Sequence, residues 1–127
     1  RMTGTLDLVV LAGDRGPDDP LCRAAGVPAK ALVPVGDRTV LARVLETLDA
    51  AFPAAMAPTR LVSGPADAAL AAAPAPAARL TRRLTEGGWR RLEPAASPAS
   101  SALAALRETD PLHATLLTTG DHALLTP

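Results

Sequence analysis

Four short segments carry residue types that can do phosphate chemistry. The first is Leu11-Ala12-Gly13-Asp14-Arg15-Gly16. Glycine lets a backbone turn tightly and bring amide N–H groups against phosphate oxygens, and arginine offers a planar charged fork for the same atoms. The second, Val27 to Gly36 (VPAKALVPVG), sets Lys30 among apolar and turn-forming residues. That lysine reads either as a point charge for a triphosphate or as an ordinary surface residue. The third, Leu116 to Thr126 (LLTTGDHALLT), puts Asp121 directly after an apolar, Thr-rich run. A hard cation such as Mg²⁺ takes one or two carboxylates and fills the rest of its shell with phosphate oxygens and water. The fourth, Pro94 to Ser101, holds Ser97 and Ser100, whose hydroxyls suit ligand contact or helix capping.

The first segment is not a dinucleotide fingerprint, because it lacks the GxGxxG spacing and no helix is expected at its end. Nor is it a Walker A loop, since no GKS or GKT follows.

These segments need elements to hold them. Leu6 to Leu11 is a short apolar run centred on Val9 and Val10, as expected of a strand buried on both faces of a parallel sheet. Gly13 to Lys30 has no periodicity and reads as a long loop. From Thr39 to Phe52 the pattern turns helical: Val40, Leu41, Val44, Leu45, Leu48 and Phe52 form one stripe, while Arg43, Glu46 and Asp49 face away. Thr39 is its expected cap and Pro53 its stop.

Further strands are expected at Thr59 to Ser63, Trp89 to Glu93 and Leu112 to Thr119. Helices are expected at Ala66 to Ala73, at Ala75 to Glu86 with Pro74 and Pro76 as interruptions, and from Ser97-Pro98 to Glu108. Strands alternating with helices predict a parallel α/β sheet, whose ligands bind in the loops at the carboxyl ends of the strands. The loops after Leu11 and after Thr119 are therefore the ones that matter.

Composition narrows the rest. The chain has 127 residues, enough for one domain with a core, and its 48% hydrophobic and 20% charged residues place it among soluble globular chains. A net charge of zero recommends neither nucleic acid nor an anionic membrane as partner. Arg79, Arg82 and Arg83 fit a solvated helix face at i, i+3 and i+4. Cys22 is the sole cysteine, so no intrachain disulfide forms. The apolar run Leu8 to Ala12 is far too short for a signal-peptide core or a membrane span, and a cytoplasmic location is the simplest expectation. Phe52 and Trp89 are the only aromatics, so no aromatic platform is expected to hold a base. Arg1 precedes Met2 and reads as a tag remnant.

In order and spacing, Leu8 to Leu48 resembles the opening of the MobA-like nucleotidyltransferases. Those begin with a strand, an LAGG-type loop, an arginine, K-x-L-x-P-V-x-G and x-L-x-R-V-L-E-x-L. Here the parts read LAGDRG at 11–16, Arg23 or Arg15 as the arginine, KALVPVG at 30–36 and VLARVLETL at 40–48. The segment around Gly120-Asp121 is similar to the family's G-D-x-P-L-L strand end. Asp14 stands where the family has a second glycine, and Ala123 where it usually has proline.

The resemblance implies a three-layer, Rossmann-like (GT-A-like) α/β fold with a mainly parallel sheet. It implies one partial domain over residues 1–127, ending after the fourth strand, with the second metal-binding carboxylate lying beyond Pro127. It further implies Mg²⁺-dependent transfer of an NMP from an NTP to a small phosphorylated acceptor, with pyrophosphate released. Lys30, Arg23 and Arg15 would act on the phosphates. Leu11, Ala12, Gly13, Lys30, Ser97 and Ser100 would bind the nucleotide, and Asp121 would hold the metal. These 127 residues alone are expected to give no turnover. The alternative is a catalytically inactive member that binds nucleotide or another protein.

Overall fold

The computed structural model describes residues 5–12, 23–24, 26, 30–35 and 38–119. Strand β1 (Leu6–Leu11) is the run of apolar and β-branched residues, with Leu8, Val9 and Val10 wholly buried. Burying each such side chain on both faces of a sheet is worth about 1.5–3 kcal/mol. A 3₁₀ turn at Lys30–Leu32 leads into β2 (Pro34–Val35), which pairs antiparallel with β3 (Arg38–Thr39). This small hairpin has no counterpart in the sequence pattern, because two-residue strands leave no periodicity to read.

Helix α1 (Val40–Ala51) forms where the apolar stripe predicts. The Thr39 hydroxyl caps it by accepting from the Ala42 amide at 3.1 Å, and Phe52 closes it. Strand β4 (Thr59–Ser63) follows, then α2 (Asp67–Ala72) and α3 (Pro74–Gly87). Pro74 and Pro76 do not interrupt α3 as expected. They occupy its first turn, where the amides have no intrahelical acceptor and a missing N–H costs nothing. Gly88, at φ +71°, ends the helix in the left-handed conformation that favours glycine.

Strand β5 is Arg90–Leu92, and α4 (Pro98–Leu106) begins at a Ser97 cap. Strand β6 is Ala114–Thr119, two residues shorter at its start than the sequence suggests. Leu112 lies in an exposed turn, its amide bonded to the Asp110 carboxylate at 2.9 Å.

All four long-range strands are parallel, in the order β5-β4-β1-β6. Leu8, Val10 and Val62 point to one face, into a core shared with Leu41, Leu45 and Leu80 of α1 and α3. Val9 and Leu61 point to the other, against Ala105 of α4. The result is the expected three-layer α/β arrangement. Among the described residues, no helix is long and apolar enough to cross a membrane.

Two polar clusters fix the lower edge of the sheet, at the strands' amino ends. Asp49 was expected to face solvent. Instead its carboxylate takes Arg60, Arg83 and the Trp89 indole N–H, the last at 3.0 Å. Arg83 is correspondingly half-buried and does not belong to a solvated face with Arg79 and Arg82. The Arg60 guanidinium, also buried, donates to the carbonyls of Ala57, Phe52 and Gly87 and lies over the Trp89 ring. Opposite, the fully buried Asp7 accepts from the Asp110 amide at 2.9 Å and bonds His113 Nδ1 at 3.0 Å.

Candidate functional site

The sheet changes direction between β1 and β6. From β1 the chain moves to β4 and then β5 on one side, and then returns past β1 to place β6 on its other side. The segments joining β1 to β4 and β4 to β5 cover one face, while α4 covers the other. The carboxyl ends of β1 and β6 therefore lie side by side where the strand order reverses, which is the ligand position in open parallel sheets. Register makes this local: Leu11 is paired with Thr119 on one side and with Ser63 on the other.

The two motif-bearing chain segments thus leave adjacent strands side by side. Leu11 is half-buried against the α4 layer, and Ala12 is buried against the α1 layer with its amide bonded to the Ser63 carbonyl at 2.7 Å. Gly13, Arg15 and Asp121, assigned from the sequence, lie outside the described residues.

The Lys30 segment is tied down by its own apolar residues. Ala31 and Leu32 are buried, and the Val33 carbonyl accepts from the Val40 amide at 2.8 Å, at the start of α1. The apolar neighbours that make Lys30 conspicuous in sequence are thus anchors to the core. They hold the backbone of Lys30 at the first position of the 3₁₀ turn. Arg23 is exposed, in a turn whose carbonyl accepts from the Gly26 amide at 3.3 Å.

Ser97 and Ser100 are brought together at the amino end of α4. Ser97 Oγ accepts from the Ser100 amide at 3.1 Å and lies 2.9 Å from the Ser100 hydroxyl. Ser101 Oγ accepts from the Ala95 amide at 2.8 Å, which fixes the approach to the helix. Both Ser97 and Ser100 are exposed, and α4 runs back from the carboxyl end of β5.

The same edge carries a cluster that sequence reasoning missed. Arg91 engages Asp67, holds Glu93 at 3.2 Å and donates to the Pro65 carbonyl at 2.8 Å. Glu93 in turn accepts from the Asp67 amide at 3.0 Å. Arg91 and Glu93 are two residues apart at a strand end, so the period-two rule places them on one side of the sheet and was the legible signal. Both carboxylates here are engaged by arginine.

No group of three or more His, Cys, Asp or Glu comes together to hold a metal among the described residues. Strand β6 ends at Thr119, beside Leu11 of β1 and two residues before Asp121 in the sequence. The remaining titratable pair is at the other end of the strands. His113 is pushed above its ordinary value by its hydrogen bond to Asp7, reinforced by the charges of Asp110 and Asp7. It has no part at the carboxyl ends.

Comparison with known proteins gives one match. The sequence model of the MobA-like NTP transferase domain covers residues 8–127. No curated protein and no solved structure matches the chain.

Proposed function

The chain belongs to the family of MobA-like NTP transferase domains, whose general activity is nucleotidyl transfer, and from that premise we propose a Mg²⁺-dependent reaction between an NTP and a small phosphorylated acceptor. The observation that supports this reading is the pairing of Leu11 with Thr119, so that the strands preceding Gly13 and Asp121 end side by side. A phosphate loop and a metal carboxylate must lie side by side to share one triphosphate.

In the proposed reaction an acceptor oxygen attacks the α-phosphorus. The bond from that phosphorus to the bridging oxygen breaks, and pyrophosphate leaves. Gly13 lets the backbone amides approach the phosphates, and Lys30 with Arg23 or Arg15 neutralises their charge. Asp121 holds the Mg²⁺, which offsets charge on the triphosphate when bound. Ser97 and Ser100 offer hydroxyls toward the base and sugar. Catalysis of this kind is positioning and electrostatic stabilisation, and asks little proton transfer of the protein.

A thermal-shift panel tests this, with ATP, CTP, GTP and UTP, each with and without Mg²⁺, beside Asp121→Ala. A ligand at a hundred times its dissociation constant stabilises by about 2.7 kcal/mol, which raises the midpoint by several degrees. One NTP should shift the wild type only with Mg²⁺, and should fail to shift the variant. Asp14, a negative charge in the second-glycine position, motivates the second reading of an inactive binding module. A shift that does not depend on Mg²⁺ would favour the inactive nucleotide-binding form of that reading, and no shift with any nucleotide would favour a protein-interaction module.

A further inference from the structure

Away from the strand ends, α1 and α3 enclose a half-open hollow of about 390 Å³. Its charged lining is Arg38, Glu46, Arg79, Arg82, Arg83 and Glu86. The volume is within the range that takes small molecules. Four guanidinium groups in one hollow are conspicuous in a chain with no net charge.

Their partners are unequally shared. Arg38 pairs with Glu46, and Arg83 with Asp49. Arg79 and Arg82, one turn apart on α3, have neither a hydrogen bond nor an ion pair among the described residues. Glu86 follows Arg82 by four residues, a spacing that suits a helical ion pair, yet forms none with it. Arg83 adds a second, independent sign: its Nε is buried and has no acceptor. Buried donors ordinarily find a partner, and guanidinium forks match the oxygens of phosphate two at a time.

We infer that the hollow between α1 and α3 binds a small multivalent anion of the diphosphate class, at a site separate from the carboxyl ends of β1 and β6. Arg79 and Arg82 supply charge that is unpaired among the described residues, and Arg38 and Arg83 extend it while keeping their carboxylates. The walls are two packed helices, so the site is formed before the anion arrives. Its ligand is recognised by charge and oxygen geometry. No aromatic residue lines the hollow to stack on a base.

Inorganic pyrophosphate without Mg²⁺, titrated against the ¹⁵N-labelled protein at constant ionic strength, tests the inference. Amides of residues 38–46 and 79–86 should shift and saturate. An Arg79→Ala/Arg82→Ala double variant should bind about tenfold more weakly or worse, as expected for the loss of charge-assisted hydrogen bonds. The same amides should still shift in Lys30→Ala. Shifts confined to residues 30–36 and the segments after β1 and β6 would overturn the inference, as would shifts lost with Lys30→Ala or no shifts at all. The wild-type map alone decides the location, and it does so even where the double variant fails to fold. Failure of the nucleotide reading is read separately, at the amides of those carboxyl ends in the presence of NTP and Mg²⁺.

Discussion

Replacing Asp49 by alanine should unfold the protein at a markedly lower temperature, although Asp49 belongs to no candidate site. The carboxylate binds Arg60, Arg83 and the Trp89 indole at once. The Arg60 side chain is only 5% exposed and that of Asp49 19%. Removing one member of a buried ion pair costs about 3–5 kcal/mol, because the other charge stays buried without its counter-ion. Arg60 retains three carbonyl acceptors, which argues for the lower end. Arg83 is 23% exposed and can reach water, so its pairing adds little.

The expected loss is therefore about 3 kcal/mol, or about 10–15 °C in midpoint for a chain of this size. Asp49→Asn keeps an acceptor for Trp89 but loses the charge, and should fall between the two. Trp89 is the sole tryptophan, so its fluorescence reports unfolding at this very cluster, with far-UV circular dichroism as the global measure. A midpoint within about 4 °C of wild type, roughly 1 kcal/mol, would refute the reasoning. It would mean that water replaces the carboxylate around Arg60 and that the cluster holds nothing together.

Two further perturbations probe other parts of the frame. His113 has a folded-state pKa above its ordinary 6.5, so its pairing with Asp7 stabilises fully below that value and fades as pH rises through the folded pKa. Urea midpoints should accordingly fall between pH 6 and 8 in the wild type and fall less in His113→Gln; equal slopes would exclude the pair as the cause. Gly87→Ala should destabilise by about 1–3 kcal/mol despite alanine's better helix propensity. The new Cβ would lie 2.7 Å from Trp89 Cδ1 and 3.1 Å from Asp49 Oδ2, and thermal melting would detect the sign.

The parts of this fold legible in sequence are those whose partners are near in the chain or whose burial is continuous. Helix α1 announces itself through a stripe of six apolar residues and a threonine cap, and β1 through three consecutive wholly buried side chains. What misled was local chemistry taken out of position: Pro74 and Pro76 break a helix only past its first turn. What could not be read was tertiary pairing. Asp49 looks like a solvent-facing residue of an amphipathic helix, and its partner Trp89 is 40 residues away. The candidate site divides the same way. Its motifs are visible as strings, but only the β1–β6 register makes two of them neighbours.

That register also has a kinetic side. Asp7 meets His113 across 106 residues of chain, and every pair along β1 and β6 closes a loop of similar length. Such contacts gain nothing until the loop entropy has been overcome, so they slow folding in proportion to their separation. As the chain emerges from the ribosome, Leu6–Leu11 must wait for β4 and then, much later, for β6 before both its edges are paired. In that interval it is a bare apolar strand, able to pair with another nascent chain. The arrangement that sets the carboxyl ends of β1 and β6 side by side thus leaves the central strand dependent on a partner made much later in the chain.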